Sequence, residues 1–158
     1  MRKLLLIILL LVSHFGYAQN DNKMITSIIA RQESDWNRND MSSYAMAFSN
    51  DAVLINFLGL FWRGRDEIVE QFKLINECCI KPTRVMFEVK DIRTLNQNTA
   101  VAHINETITA IQDYNVPGKT IKKGTIEHKI ITAVFLKDKT EWKIISMQVT
   151  QIIPLPPK

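Results

Sequence analysis

The segment 99–111 alternates strictly, and both of its faces carry residues able to do chemistry. Its even positions are apolar except for Glu106, whereas its odd positions include His103, Asn105 and Thr107. Because successive strand side chains point to opposite faces, the period predicts a buried even face that takes Glu106 with it. Burial would raise the pKa of that carboxyl and make it a candidate base. The alternative is that the even face forms a subunit interface with Glu106 at its rim.

His103 is the second candidate for chemistry. If the odd face lines a cavity, His103 enters it beside Asn105 and could act as a general base or as a hydrogen-bonding wall residue. His128 lies in a polar stretch and is expected in solvent. Six aromatic residues between 36 and 62 are more typical of a core than of a cofactor site. Of these we expect Tyr44 and Trp62 to line a pocket, together with Gln148 near the end of the chain.

Several kinds of site are excluded by pattern. Cys78 and Cys79 are adjacent, so the chain lacks the spaced cysteines of a disulfide scaffold. Cysteine and histidine do not occur at metal-ligand spacing, and the sequence has no Gly-rich phosphate loop, so we predict neither a metal nor a cofactor. The net charge of +4 is too small to indicate nucleic-acid binding. The basic cluster Lys119, Lys122 and Lys123 is interpreted as a solvated loop, with an anionic partner as the alternative.

The first eighteen residues have the order of a secretory signal peptide. Arg2 and Lys3 precede nine apolar residues, and Gly16 and Ala18 supply the small residues that a signal peptidase reads. The apolar run is shorter than the roughly 20 residues needed to span a bilayer. We therefore predict cleavage after Ala18, a mature domain over residues 19–158, and a periplasmic or secreted protein without membrane attachment.

The mature chain predicts helices first and strands afterwards, which is an α+β pattern. Asp40 is suited to cap the second helix. Strands of ten or more residues form sheets that curl, and a curled sheet covered by helices encloses a cavity. The predicted helices are 23–37, 41–49 and 64–77, and the predicted strands are 52–56, 61–62, 84–95, 99–111, 124–136 and 141–153, with a loop over 112–123.

Four segments in this order resemble the NTF2-like superfamily, and within it the DUF4440 / SnoaL-like group with its SgcJ/EcaC family. They are Trp36–Asp40, Tyr44–Ala52, Gly64–Ile68 and Glu141–Thr150. The resemblance implies a cone: a curved antiparallel sheet wrapped round three N-terminal helices, with a pocket inside, usually as a homodimer. It also implies that the odd face of 99–111 points inward, so that His103 faces the pocket and Glu106 faces out.

The ketosteroid isomerases, which share this fold, can be laid on Ile29–Gly59 without gaps and on the late hairpin with a one-residue gap. Their general base then falls on Asn56 and their oxyanion donors on Gln32 and near Thr132. An amide cannot accept a proton as a carboxylate does, so ketosteroid-type isomerisation is not expected. The implied pocket is lined by neutral hydrogen-bonding groups: Gln32, Tyr44, Asn56, Trp62, His103, Asn105, Thr132 and Gln148.

Such a lining favours binding of a small molecule over proton chemistry. We therefore expect an exported, non-catalytic small-molecule-binding protein that forms a homodimer through its convex sheet. The alternative is an enzyme of lyase, isomerase or hydrolase type in which His103 is catalytic. A third hypothesis is that the protein is a dimeric interaction module whose pocket no longer binds a ligand.

Overall fold

The long N-terminal helix is held against the sheet by an apolar stripe and by polar side chains at its end. In the computed structural model, which describes residues 2–116 and 118–153 with side chains from Gln19 onward, helix α1 spans Arg2–Asn37. Ile25, Ile29 and Trp36 recur at helical spacing and are buried. The side chains of the predicted signal peptide lie outside the described residues. Among the helices that are described, none combines the length and apolarity needed to cross a membrane.

Two short helices follow and complete the helical layer. Helix α2 covers Met41–Ala45, and Asp40 caps it by accepting a hydrogen bond from the Ser43 amide at 2.9 Å. The predicted helix to residue 49 is too long, because the chain at Phe48 already pairs with the last strand. Helix α3 covers Arg65–Leu74 and continues as a π-helical turn, Asn76–Ile80, in which Cys78 and Cys79 are joined by a disulfide.

Eight strands make up the rest of the described chain. Six form the main sheet in the order β2-β1-β8-β7-β4-β3, and β5 and β6 form a small hairpin within the predicted loop. The bounds are β1 Phe48–Ile55, β2 Phe61–Arg63, β3 Thr83–Asn96, β4 Thr99–Ala110, β5 Tyr114–Val116, β6 Lys119–Ile121, β7 Ile126–Asp138 and β8 Glu141–Gln151. The α+β fold with a curved sheet packed on helices is confirmed, but the sheet is mixed, since β1 runs parallel to β8.

The even face of β4 is buried, as its period predicts. Ala100, Ala102 and Ile104 are at most 1% exposed and pack in the core. Their cross-strand partners on β7 are Phe135, Ala133 and Ile131, which are equally buried. The prediction that the odd face of β4 points inward is therefore wrong. The helices cover the even face because its residues are small and apolar, whereas the odd face carries polar residues.

Polar contacts fix the helical layer relative to both edges of the core. Asn37, at the end of α1, donates to the carbonyl of Val85 at 2.8 Å and accepts from its amide at 2.9 Å. Near the other end of the described side chains, the buried Asp21 carboxylate accepts from Lys137 Nζ at 2.7 Å and from Trp142 Nε1 at 3.1 Å. These bonds tie α1 to β3 and to the β7–β8 hairpin, and those to Asp21 are charge-assisted.

Candidate functional site

A cavity of about 80 Å³ lies between the helices and the concave face of the sheet. Its walls are mainly apolar and aromatic, which is the usual character of a small-molecule pocket. Phe57 is 46% exposed and marks the boundary between this cavity and solvent. The lining residues are Trp36, Tyr44, Leu54, Asn56, Phe57, Trp62, Phe72, Ile75, Glu106, Ile108, Lys129, Ile131, Met147 and Val149.

The aromatic wall of the cavity is a packed cluster. The Phe72 ring meets the Tyr44 ring edge-to-face at a centroid distance of 5.1 Å and the Trp62 ring at 5.4 Å. The Trp36 ring packs against the rings of Tyr44 and Phe72 at centroid distances of 6.0 and 6.1 Å. Its indole Nε1 donates a hydrogen bond to Thr83 Oγ1 at 3.2 Å. Edge-to-face pairs of this kind fix ring positions, so this side of the cavity is preformed.

The charged part of the cavity is an ion pair between Glu106 and Lys129. The two residues are directly opposite each other on β4 and β7, so both side chains emerge on the concave face. Their side chains are 7% and 2% exposed, and Nζ of Lys129 lies 3.9 Å from Oε2 of Glu106. Lys129 also lies 3.7 Å from Oε2 of Glu127 and 4.9 Å from the centroid of the Phe57 ring.

The Glu106–Lys129 pair has unused hydrogen-bonding capacity. A separation of 3.9 Å is too long for a hydrogen bond. Neither side chain forms a hydrogen bond with any of the described residues. Buried charged groups are normally both paired and hydrogen-bonded, because desolvation is otherwise uncompensated. The pair therefore presents a donor and an acceptor that an occupant of the cavity can satisfy.

Burial dominates the electrostatics of the cavity. It raises the pKa of the Glu106 carboxyl; the Lys129 ammonium opposes this rise, and the nearby Glu127 carboxylate adds to it. Burial also raises the pKa of the Tyr44 hydroxyl, with a further contribution from the Glu106 charge. Glu106 therefore keeps its proton to a higher pH than an ordinary carboxyl, and Tyr44 stays a neutral donor.

The loop at the cavity boundary is ordered by Asn56. Its Oδ1 accepts hydrogen bonds from the amides of Leu58 and Leu60 at 2.9 and 3.0 Å. Gly59 supplies the positive φ of +81° that this tight turn requires. Asn56 lines the cavity as predicted, but its carbonyl oxygen serves the loop, so only the amide nitrogen is free to face an occupant.

Three of the predicted pocket residues are brought together, but on the wrong face of the sheet. His103 pairs with Thr132, and Thr132 pairs with Gln148, so the three form a row across β4, β7 and β8 on the convex face. His103 contacts the exposed carboxylate of Asp91 at 3.7 Å. The prediction that they line the pocket is wrong, because the faces of β4 alternate in the opposite sense.

Two further predicted pocket residues also lie outside the cavity. Asn105 is on the convex face, where its Nδ2 donates to Glu88 Oε2 at 3.1 Å. Gln32 is buried between α1 and α2, and its Nε2 donates to the carbonyl of Tyr44 at 3.4 Å. The two predicted aromatic residues, Tyr44 and Trp62, do line the cavity.

Sequence reasoning missed Lys129 altogether. It follows His128 in a polar stretch, which favours an interpretation as solvated surface. The signal was nevertheless present, since Lys129 shares its parity with Ile131, Ala133 and Phe135, the buried face of β7. A lysine in phase with an apolar face is the feature that would have identified it. No group of three or more potential metal ligands occurs among the residues that the structure describes.

The family of this chain is shown by a match to the sequence model of a protein family. The model of the SnoaL-like domain matches residues 25–154. This chain belongs to the SnoaL-like domain family. No curated protein matches it. The narrower DUF4440 and SgcJ/EcaC assignments stay predictions.

Solved structures confirm the NTF2-like fold. Their sequence identities to this chain are below 25%, so the similarity concerns the fold alone. A domain of unknown function with a cystatin-like fold from Nostoc punctiforme is similar at 23% identity and a TM-score of 0.74, over 86% of this chain and 80% of that one. A ketosteroid isomerase-like protein from Erwinia carotovora atroseptica matches at 17% identity and 0.66, over 84% and 96%. A putative scytalone dehydratase from Novosphingobium aromaticivorans matches at 11% identity and 0.72, over 88% and 89%.

Proposed function

We propose that this SnoaL-like domain binds a small, mainly apolar molecule that places a polar group against Glu106 and Lys129. The observation that carries the proposal is a buried ion pair, without hydrogen bonds to the described residues, at one side of an aromatic cavity. Pockets that recognise small molecules combine apolar walls with a few convergent polar groups. The sequence led us to expect a lining of neutral hydrogen-bonding groups. The observed lining is mainly apolar and contains one charged pair, Glu106 and Lys129.

The binding proposal is tested by filling the cavity. Val149→Phe adds a ring to a residue that lines the cavity, whereas Val134→Phe makes the same change on the convex face. Toluene, followed by chemical-shift changes in the protein, serves as an apolar probe. We expect binding to the natural protein and to the Val134 variant and none to the Val149 variant. Equal toluene binding by both variants would refute the proposal, as would a natural protein that binds neither toluene nor a polar single-ring compound of similar size.

A second candidate function is proton-transfer catalysis, and it depends on Glu106 instead of His103. The alternative in which a pocket histidine is catalytic is withdrawn, since His103 lies on the convex face. A buried carboxyl with a raised pKa beside an ammonium group is suited to general acid or base catalysis. If a reaction is found, Glu106→Gln should reduce its rate about 100-fold or more, and His103→Gln should leave it unchanged.

Export and dimerisation belong to the same proposal. The predicted signal peptide supports export, and the mass of the protein recovered outside the cytoplasm should correspond to a chain that begins at Gln19. The convex face carries Met86, Ile126, Ile130 and Leu136, all 36% exposed or more, which supports pairing of two copies there. The prediction that this interface is formed by the even face of 99–111 is wrong, because that face is turned toward the core: Ala100, Ala102, Ile104, Ile108 and Ala110. Ultracentrifugation of Ile130→Asp should show a monomer, whereas Ile153→Asp, outside this face, should not change the assembly.

A further inference from the structure

The arrangement of Glu106 and Lys129 restricts the chemistry of the polar group that the cavity can take. Their charged atoms are separated by 3.9 Å. An oxygen atom placed between them can lie about 2.8 Å from both, which is an ordinary hydrogen-bond length. Such an oxygen must accept from the Lys129 ammonium and donate to the Glu106 carboxylate. A hydroxyl group does both, whereas an ether or a carbonyl oxygen can only accept.

The size of the cavity restricts the rest of the molecule. Its volume is about 80 Å³. An engineered cavity that takes up benzene has roughly 150 Å³, so even a single ring cannot lie wholly inside this one. A bound ring must therefore extend past the cavity boundary at Phe57, which is half-exposed. Fused polycyclic molecules are too large to enter with their polar group beside Glu106.

The cavity walls and the acidity of the hydroxyl favour an aromatic ring. Tyr44, Trp62 and Phe72 present ring edges and faces, against which another flat ring packs well. A phenolic hydroxyl, with a pKa near 10, is a stronger donor to a carboxylate than an aliphatic alcohol. Glu127, the other carboxylate beside Lys129, is 24% exposed, is also paired with Lys119 at 3.6 Å and does not line the cavity, so Glu106 is the carboxylate that a ligand in the cavity meets.

We infer that the cavity selects a single-ring phenol, whose hydroxyl bridges Lys129 Nζ and the Glu106 carboxylate. This inference rests on the proposed binding function and adds the class of ligand to it. The closing experiment compares phenol with toluene, which is similar in size but has no hydroxyl, and with cyclohexanol, which has a hydroxyl but no aromatic ring. Dissociation constants are measured by titration calorimetry or by ligand-observed nuclear magnetic resonance.

We expect phenol to bind about 10- to 100-fold more tightly than toluene, the range given by hydrogen bonds to charged groups. Cyclohexanol should fall between them. The double variant Glu106→Gln, Lys129→Met removes both charges without leaving one unpaired, so it is expected to fold. In this variant the preference for phenol over toluene should disappear.

Each other result overturns a specific part of the argument. Equal affinities for phenol and toluene would refute the bridging hydroxyl but leave the binding function intact. Cyclohexanol binding as tightly as phenol would refute the choice of an aromatic ring. A phenol preference that persists in the double variant would assign the hydroxyl to another group, such as Tyr44 or Asn56. Binding of none of the three compounds would refute the inference together with the proposed function.

Discussion

Replacing Lys129 by Met should destabilise the protein in a strongly pH-dependent way. Methionine keeps the length and apolar volume of the lysine stem but leaves the Glu106 carboxylate buried without its partner. Two unit charges 3.9 Å apart interact by about 4 kcal/mol at an effective dielectric constant near 20. Mutational losses of one partner of a buried pair fall in a similar range, about 3–5 kcal/mol.

The pH dependence follows from the proton that Glu106 can bind. Burial already raises the folded-state pKa of Glu106 above its ordinary value of 4.5, and Lys129 is the group that opposes the rise. Removing Lys129 should raise this pKa further. A raised carboxyl pKa gives stability that is fully present below the unfolded-state value and is lost as pH increases through the folded-state value. The variant should therefore lose more stability than the natural protein as pH rises.

Urea unfolding followed by tryptophan fluorescence measures this difference. At pH 8 we expect Lys129→Met to be less stable by about 3–4 kcal/mol, which lowers the midpoint by roughly 1.5–2 M for a typical urea m value. At about pH 4, below the ordinary carboxyl value, the deficit should shrink to about 1 kcal/mol or less, because the raised pKa leaves Glu106 mostly protonated in both folded proteins. The double variant Glu106→Gln, Lys129→Met should recover most of the loss at pH 8. A deficit that is equal at both pH values, or a double variant no more stable than the single one, would refute the reasoning.

Three further substitutions test the contacts that position the site. Asp21→Ala should lower the free energy of unfolding measured in urea by about 2 kcal/mol, because a buried carboxylate and its charge-assisted hydrogen bonds are lost. Asp21→Asn keeps an acceptor and should lower it by less. Asn56→Ala should speed hydrogen exchange of the two loop amides bonded to its side chain and cost about 1 kcal/mol, whereas Asn56→Asp should preserve their protection. Asp40→Ala should cost about 1 kcal/mol at neutral pH through loss of the helix cap. Because hydrogen bonds from Ser43 lower the pKa of Asp40, this last difference should fade as pH drops below about 4; a constant difference would contradict it.

Local signals in the sequence predicted most elements of this fold. The period of α1, the Asp40 cap and the alternation of β4 are each set by residues close together in the chain, so they can be recognised without tertiary information. Helix α2 is the instructive exception. Its sequence permits a helix to residue 49, but Phe48 pairs with Ile144, which is almost a hundred residues away in the chain. A long-range ladder thus overrode a local propensity.

The site was predictable only in part, because it depends on strand register and on which face is covered. The period of β4 indicated a buried even face and a buried Glu106, and this was correct. The orientation implied by family resemblance reversed that interpretation and selected His103. The residue opposite Glu106 could not be deduced, since register between β4 and β7 is set by the whole hairpin region and its long connection. A resemblance at the level of a fold is therefore a weaker guide to side-chain orientation than the strand's own period.

The Glu106–Lys129 pair is better explained by binding than by stability. Buried ion pairs generally add little to stability, and well-packed apolar residues of similar volume often serve the fold equally well or better. The neighbouring cross-strand pairs on the same face, Ile104 with Ile131 and Ala102 with Ala133, are of that apolar kind. At Glu106 and Lys129, by contrast, this face borders the cavity. Because the two side chains form no hydrogen bond with each other, part of their desolvation is left to be offset by Glu127 and by water or a ligand in the cavity. The absence of a hydrogen bond between these two buried charged side chains is the physical reason to look for the function of the protein at this position.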